Sequence, residues 1–150
     1  MRGVGGGRGT LRDEQRLDEM EDAIDRLREL AESGTVVVEG SRDLAALDWL
    51  GIGGLHVTLH RGKALGVVVE ELVQCPPPII LLVDWDRTGG RLLQRLAEGL
   101  QARVQVDVAC RRRLAAACHS RTLEAVPGEL GALRRAVLGE GRPSTKSMAG

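Results

Sequence analysis

Ile79-Ile80-Leu81-Leu82-Val83-Asp84-Trp85-Asp86-Arg87-Thr88-Gly89-Gly90 is the stretch on which the reading of the fold turns. Five apolar residues run without interruption. Cys75-Pro76-Pro77-Pro78 precedes them, and two acids and a glycine pair follow. A short continuous apolar run between turn signals reads as a strand buried on both faces, the kind found in parallel sheets covered by helices. The prolines keep any helix from entering it, since each lacks an N–H donor and restricts the residue before it. A second run of the same character, Thr35-Val36-Val37-Val38, also ends on an acid, Glu39-Gly40.

The rest of the chain is ordered around these two runs. Residues 1–10, rich in Gly and Arg, are expected to be disordered. A helix is predicted over 11–34, where Leu17, Met20, Ile24, Leu27 and Ala31 recur at helical spacing among charged residues. Gly34 stands where a left-handed cap is wanted. After the first strand, 35–38, a helix over 43–50 is closed by Gly51, with Ser41 or Asp43 as its cap. A second strand covers 55–59, and the turn His60-Arg61-Gly62-Lys63 follows. Val67-Val68-Val69 favours a strand by propensity, yet Leu65, Val68, Val69, Leu72 and Val73 form one helical face. A crossover must lie between parallel strands, so 65–74 is read as a helix. The third strand is 79–83, with a helix over 90–101. A fourth strand follows at 104–108, then a helix over 109–119 and a short one over 129–138. Residues 139–150 read as a disordered tail.

Residues 35–138 therefore form one α/β domain with C-terminal helices, a doubly wound, Rossmann-like parallel sheet of four strands with helices on both faces. Ligands bind such sheets beyond the carboxyl ends of the strands, where the strand order reverses. In the flavodoxin-like order that point lies between strands one and three, which brings Glu39 and Asp84 together.

Composition narrows the function classes. Lysine plus arginine (21) equals aspartate plus glutamate (21), so net charge supplies no general attraction to nucleic acid or membrane, and any such attraction must be local. There is no Phe or Tyr and there are only two Trp, Trp49 and Trp85. This argues against modules that stack bases on aromatic platforms and excludes a phosphotyrosine intermediate in this chain. Cys75, Cys110 and Cys118 are odd in number and lack CxxC spacing, which suits buried thiols in a reducing compartment. Met1–Thr10 has no apolar core of a signal peptide and no run reaches membrane-spanning length, so a cytoplasmic protein without membrane contact is expected.

Asp84 and Asp86, one residue apart at a strand end, can face the same side, with Trp85 pointing away into packing. Carboxylates crowded there with Glu39 repel one another, and a hard cation such as Mg²⁺ (or Mn²⁺ in its place) compensates them while keeping waters for substrate phosphates. Gly89-Gly90 leaves room for backbone N–H groups to approach an anion. Alone, a DxD pair is more often a turn or helix cap, and Glu-Gly after a strand means less still. Their placement at matching strand ends is what favours function. His56 and His60 read as surface residues, and Arg111-Arg112-Arg113 as either a phosphate contact or a solvated face.

The combination Val37-Val38-Glu39-Gly40 with Asp84-x-Asp86-Arg87-x-Gly89 resembles the signature of Toprim domains. These occur in topoisomerases, bacterial-type primases, nucleases of the overcoming-lysogenization-defect type and the 5S ribosomal RNA maturation nuclease. The likeness covers residues 35–108. In size and layout the chain is similar to small stand-alone archaeal Toprim proteins of unassigned function and to the Toprim part of the 5S maturation nuclease, whose Glu-Gly-x-x-Asp segment Glu39-Gly40-Ser41-Arg42-Asp43 also resembles. The resemblance implies Glu39 as metal ligand or general acid/base, and Asp84 and Asp86 as Mg²⁺ ligands. Arg87, Gly89, Gly40, Arg61 and Lys63 would lie against phosphate or substrate, with Asp43 behind the ligands. Thr88 and Gly90 stand where the topoisomerase pattern continues to a third acid, which argues for one metal instead of two.

Three functions follow as expectations. The first is Mg²⁺-dependent chemistry on nucleic-acid phosphodiesters, nuclease-like or RNA/DNA-processing. The second is a non-catalytic metal-binding module of a larger nucleic-acid-processing protein complex. The third, a haloacid-dehalogenase-like phosphatase, rests on the fit of Asp84-Trp85-Asp86-Arg87-Thr88 to Asp-x-Asp-x-Thr. It is disfavoured because that family carries the motif on its first strand and needs a later acidic pair and a Lys, whereas the sole later Lys is Lys146.

Overall fold

A computed structural model describes residues 10–59 and 62–139. The expected disorder of residues 1–9 and 140–150, and the turn residues His60 and Arg61, lie outside the described residues. Among the described residues, six helices and four strands run in the order α1 (Leu11–Ala31), β1 (Thr35–Val38), α2 (Ser41–Trp49), β2 (Leu55–Thr58), α3 (Leu65–Val73), β3 (Ile79–Leu81), α4 (Arg87–Leu100), β4 (Val106–Asp107), α5 (Ala109–Ala117) and α6 (Val126–Leu138). A 3-10 turn at Leu123–Ala125 leads into α6.

The four strands form one parallel sheet in the order β2-β1-β3-β4. Val37 sits opposite Val57 on one side and Leu81 on the other, so β1 and β3 are central neighbours. The strand order reverses between them, as the α/β reading requires, and both central strands are wholly buried.

Side-chain alternation divides the interior into two layers. Val36, Val38, Ile80 and Leu82 face a layer built with α1, α2, α5 and α6. Val37, Ile79, Leu81 and Val83 face a smaller layer closed by α3 and α4. Leu17, Met20, Ile24, Leu27 and Ala31 are all buried, so the predicted apolar stripe of α1 is its packing face. Trp85 packs against the larger layer, and its indole N–H donates to the Ser120 carbonyl at 2.6 Å.

Several local expectations are corrected. Gly34 is not left-handed: positive φ among the described glycines occurs at Gly51, Gly54, Gly62 and Gly139. Its role is close approach, since a Cβ there would lie 2.6 Å from the Pro78 carbonyl oxygen, and that carbonyl accepts the N–H of Thr35. The cap of α2 is Gly40, one residue before Ser41, and Asp43 reaches back from the first turn to accept the Gly40 N–H at 3.1 Å. Helix α4 starts at Arg87 instead of Gly90, because the Asp86 side chain caps it by accepting the Gly89 N–H at 2.7 Å. The fourth strand shrinks to Val106–Asp107, while α6 begins at Val126, earlier than predicted.

Candidate active-site cleft

The carboxyl ends of β1 and β3 open into a cleft of about 530 Å³. Glu39, Gly40, Asp43 and Asp84 line its acidic end, and Leu59, Leu65, Val68 and Leu92 form an aliphatic wall. The two strand-end acids do meet: Glu39 Oε2 accepts the backbone N–H of Asp84 at 2.8 Å. Parallel pairing of β1 with β3 puts the last residues of both strands side by side, and each strand then leads through a short turn into a helix N-terminus.

The electrostatics are those of an acid surplus. Burial pushes the Asp84 carboxyl up to about 6, and the nearby charges of Glu39, Asp43 and Asp86 add to the effect. Asp43 is 6 % exposed, and burial likewise raises its pKa, against the lowering influence of its Gly40 hydrogen bond. A counter-charge lies close by in Arg111, whose Nε donates to the Val83 carbonyl at 2.8 Å and whose guanidinium also donates to the Asp84 carbonyl at 2.7 Å. Two charge-assisted bonds to consecutive carbonyls fix the backbone of the acidic turn and place a cation beneath it.

The remaining predicted residues divide between cleft and surroundings. Lys63 lines the cleft but is held by Glu71, with Nζ at 2.8 Å from Oε2. Gly89 is buried against the Asp84 carbonyl, and Arg87 is exposed on α4. Asp86 spends one carboxylate oxygen on its helix cap. Arg61 lies outside the described residues. Among the described residues, no three His, Cys, Asp or Glu side chains are gathered as a ready cation cage. The donor set nonetheless suits a hard divalent cation in kind: carboxylate oxygens crowded at one cleft end, with Asp84 ionising reluctantly in their company.

Arg111 is the residue that sequence reasoning misplaced. Its two successors, Arg112 and Arg113, are exposed, but Arg111 turns inward. The signal was available: Cys110 and Leu114 are apolar positions four apart on α5, and Arg111 is three before Leu114, on the flank of the buried face. Glu124 also borders the cleft, beside Arg42 at 3.7 Å, and the sequence around it offered no motif.

Fold and cleft define a Rossmann-like α/β protein with an acidic pocket at the reversal point of its sheet. No protein-family model matches the chain. The UPF0292 protein of Pyrococcus furiosus is 33% identical over 100 residues, covering 67% of this chain and 73% of that one. The chain belongs to the UPF0292 family. The UPF0292 protein of Methanocaldococcus jannaschii is 27% identical over 106 residues, covering 69% of this chain and 82% of its own. A solved structure of an Aquifex aeolicus protein superposes with a TM-score of 0.56 at 30% identity, covering 65% of this chain and 89% of that one. The Pyrococcus and Methanocaldococcus relatives agree with the expected likeness to small archaeal proteins. Among the described residues no helix is long and apolar enough to cross a membrane.

Proposed function

We propose that the protein is a Toprim-type, Mg²⁺-dependent enzyme acting on nucleic-acid phosphodiesters. The observation that supports this best is the contact of Glu39 with the Asp84 backbone across the ends of β1 and β3. It joins the two halves of the motif at the one place in the sheet where α/β proteins bind ligands. The acid surplus around Asp84 supports the same reading, because it creates a demand for a cation.

Asp84 and Asp86 would hold the ion, with Glu39 either completing the ligand set or carrying the proton. When bound, Mg²⁺ supplies Lewis acidity toward a phosphate oxygen and lowers the pKa of a water. Glu39 sits at the cleft floor, where a carboxylate can accept a proton from an attacking water or return one to a leaving oxygen. Lys63 and Arg87 provide cationic contacts for phosphate oxygens, and Gly40 and Gly89 let main chain come close to them. Arg111 keeps the Asp84 turn in position throughout.

The test is cleavage of structured RNA and DNA by purified protein with Mg²⁺, with Mn²⁺ and with EDTA. Cleavage is expected only with the divalent ions, and Asp84→Asn and Glu39→Gln are expected to lose it. An Asp84→Asn protein as active as wild type would sink the assignment. Calorimetric titration with Mn²⁺ gives a separate readout, with heat expected from wild type and little from Asp84→Asn. Metal binding without cleavage would favour the accessory-module reading.

A further inference from the structure

The acidic cleft is bordered by a helix of opposite charge. Helix α4 carries Arg87, Arg91 and Arg95 at exposed positions. Successive members are four residues apart, so each step advances about 6 Å along the axis and turns by roughly 40°. Leu96 and Leu100 are buried on the opposite side, which leaves the three guanidinium groups as one ridge facing solvent. Leu92, part of the cleft wall, lies three residues before Arg95 and one helical turn after Thr88. Residues so spaced are surface neighbours, so the ridge borders the cleft wall at Arg95, and its other end, Arg87, follows Asp86 directly in the chain.

These cations have no carboxylate partner among the ion pairs of the described residues. Acids on the adjacent helix α3 are engaged elsewhere: Glu71 holds Lys63, and Glu70 holds Arg103. Helix α4 has no acid in its first turn, and Glu98 lies near Gln94 Nε2 toward the other end. Arg87 and Arg91 stand near the N-terminus, where the helix macrodipole disfavours positive charge. Local helix energetics therefore do not explain the ridge, and internal pairing does not either. Three cations aligned on one face beside the cleft are matched in charge and spacing by an external anion with repeated charges.

We infer that Arg87, Arg91 and Arg95 form a track for the sugar–phosphate backbone of a nucleic-acid strand, leading it along α4 to the cleft. The inference rests on the reading of the cleft as a phosphodiester site and adds the surface that recruits the substrate. The step between arginines is comparable with the interval between successive phosphates of an extended strand, and guanidinium forks match phosphate geometry. The chain has no Phe or Tyr, Trp85 is partly buried against the larger layer, and the exposed Trp49 stands at the end of α2, away from the helix that carries the track. The track therefore grips backbone without stacking bases, and is indifferent to sequence.

Binding of a short fluorescein-labelled RNA oligonucleotide, and of its DNA equivalent, measured by anisotropy in EDTA separates the track from any metal-dependent step. Wild type is expected to bind with an affinity that falls as salt rises. Replacing all three residues together (Arg87→Gln, Arg91→Gln, Arg95→Gln) is expected to weaken binding by about tenfold or more at low salt. The slope of log K against log salt should flatten by about two, given roughly 0.7 per phosphate contact on a single strand. Circular dichroism of the triple variant should match wild type. Removing two exposed arginines from α5 (Arg112→Gln with Arg113→Gln) should leave affinity and slope unchanged. The inference is overturned if wild type does not bind, if the triple variant binds like wild type, or if the α5 pair weakens binding equally. Displacement by polyglutamate as effective as by unlabelled oligonucleotide overturns it too, since the ridge would then suit an acidic protein. A protein that binds through the ridge yet cleaves nothing with Mg²⁺ removes the catalytic reading and leaves the track standing.

Discussion

Asp84 is a carboxyl group that the folded chain holds partly against its own ionisation, raised from the usual 3.8 to about 6. The unfolded chain ionises it near 3.8 and the folded chain only near 6, so this group costs stability increasingly between those values and fully above them. Asp84→Asn is therefore expected to stabilise the metal-free protein at pH 7.5 by about 1 kcal/mol, after allowance for solvent screening of a half-exposed group. Urea denaturation checks this, and the advantage should fade as pH falls toward the ordinary carboxylate range. Mg²⁺ should close the gap by raising the melting temperature of wild type alone. Arg111 carries a prediction of the opposite sign. Arg111→Met deprives two carbonyls of charged donors and is expected to cost about 2–3 kcal/mol, whereas Arg112→Gln should fall within about 0.5 kcal/mol of wild type. At this scale the acids were legible because side-chain chemistry is written in the residue type. The direction of Arg111 is legible only from its neighbours Cys110 and Leu114, because three arginines in a row look alike by residue type.

The decisive element is the turn from β3 into α4, and its glycines are not equivalent. A Cβ on Gly89 would lie 1.8 Å from the Asp84 carbonyl oxygen, whereas one on Gly90 would meet nothing within 4 Å. Gly89→Ala is therefore expected to destabilise by roughly 1–3 kcal/mol or more, because the acidic turn must move. Gly90→Ala should be neutral or stabilising by up to about 1 kcal/mol, as for any open helical position. Thermal denaturation of the two variants side by side gives the comparison. From spacing alone this glycine pair reads as the opening of the helix. The helix starts at Arg87 because Asp86 is both an acid of the site and a helix cap, a double use that spacing alone does not reveal. Strand existence was plain from Thr35–Val38 and Ile79–Val83, where burial on both faces demands unbroken apolar runs. Strand ends were less so, since pairing depends on neighbours: β4 keeps only Val106–Asp107.

Across the whole molecule, the order β2-β1-β3-β4 is one that alternating strand and helix signals with right-handed crossovers allow, and it is the flavodoxin-like one in which strands one and three are neighbours. Long-range side-chain ties could not be read in this way. Glu129 at the start of α6 accepts the backbone N–H of His119 at 2.6 Å and those of Ser120, from its backbone at 3.0 Å and its hydroxyl at 2.8 Å. Arg16 of α1 pairs with the same carboxylate and also donates to the Ala117 carbonyl at 3.3 Å. Burial alone would raise the Glu129 pKa, but these donors bring it below the ordinary value. Its stabilisation is therefore present above the ordinary carboxylate range and is lost as pH falls through the lowered value, the reverse of Asp84. Glu129→Gln should cost about 2 kcal/mol at neutral pH and progressively less in acid, as followed by urea midpoints across pH.

That knot reaches further than α6. Ser120, held by Glu129, offers its carbonyl to the Trp85 indole, and the neighbouring Arg121 carbonyl accepts the Trp85 backbone N–H at 2.9 Å. Trp85 sits between the two acids of the turn. The first helix is thus wired to the cleft through Arg16, Glu129, Ser120 and Trp85, although it contributes no residue to the cleft. In a genetic screen for lost activity, Arg16 substitutions should score alongside those of the cleft itself and be mistaken for substrate contacts. A second-site change that re-anchors the Ser120 loop should rescue them, while leaving an Asp84 lesion untouched.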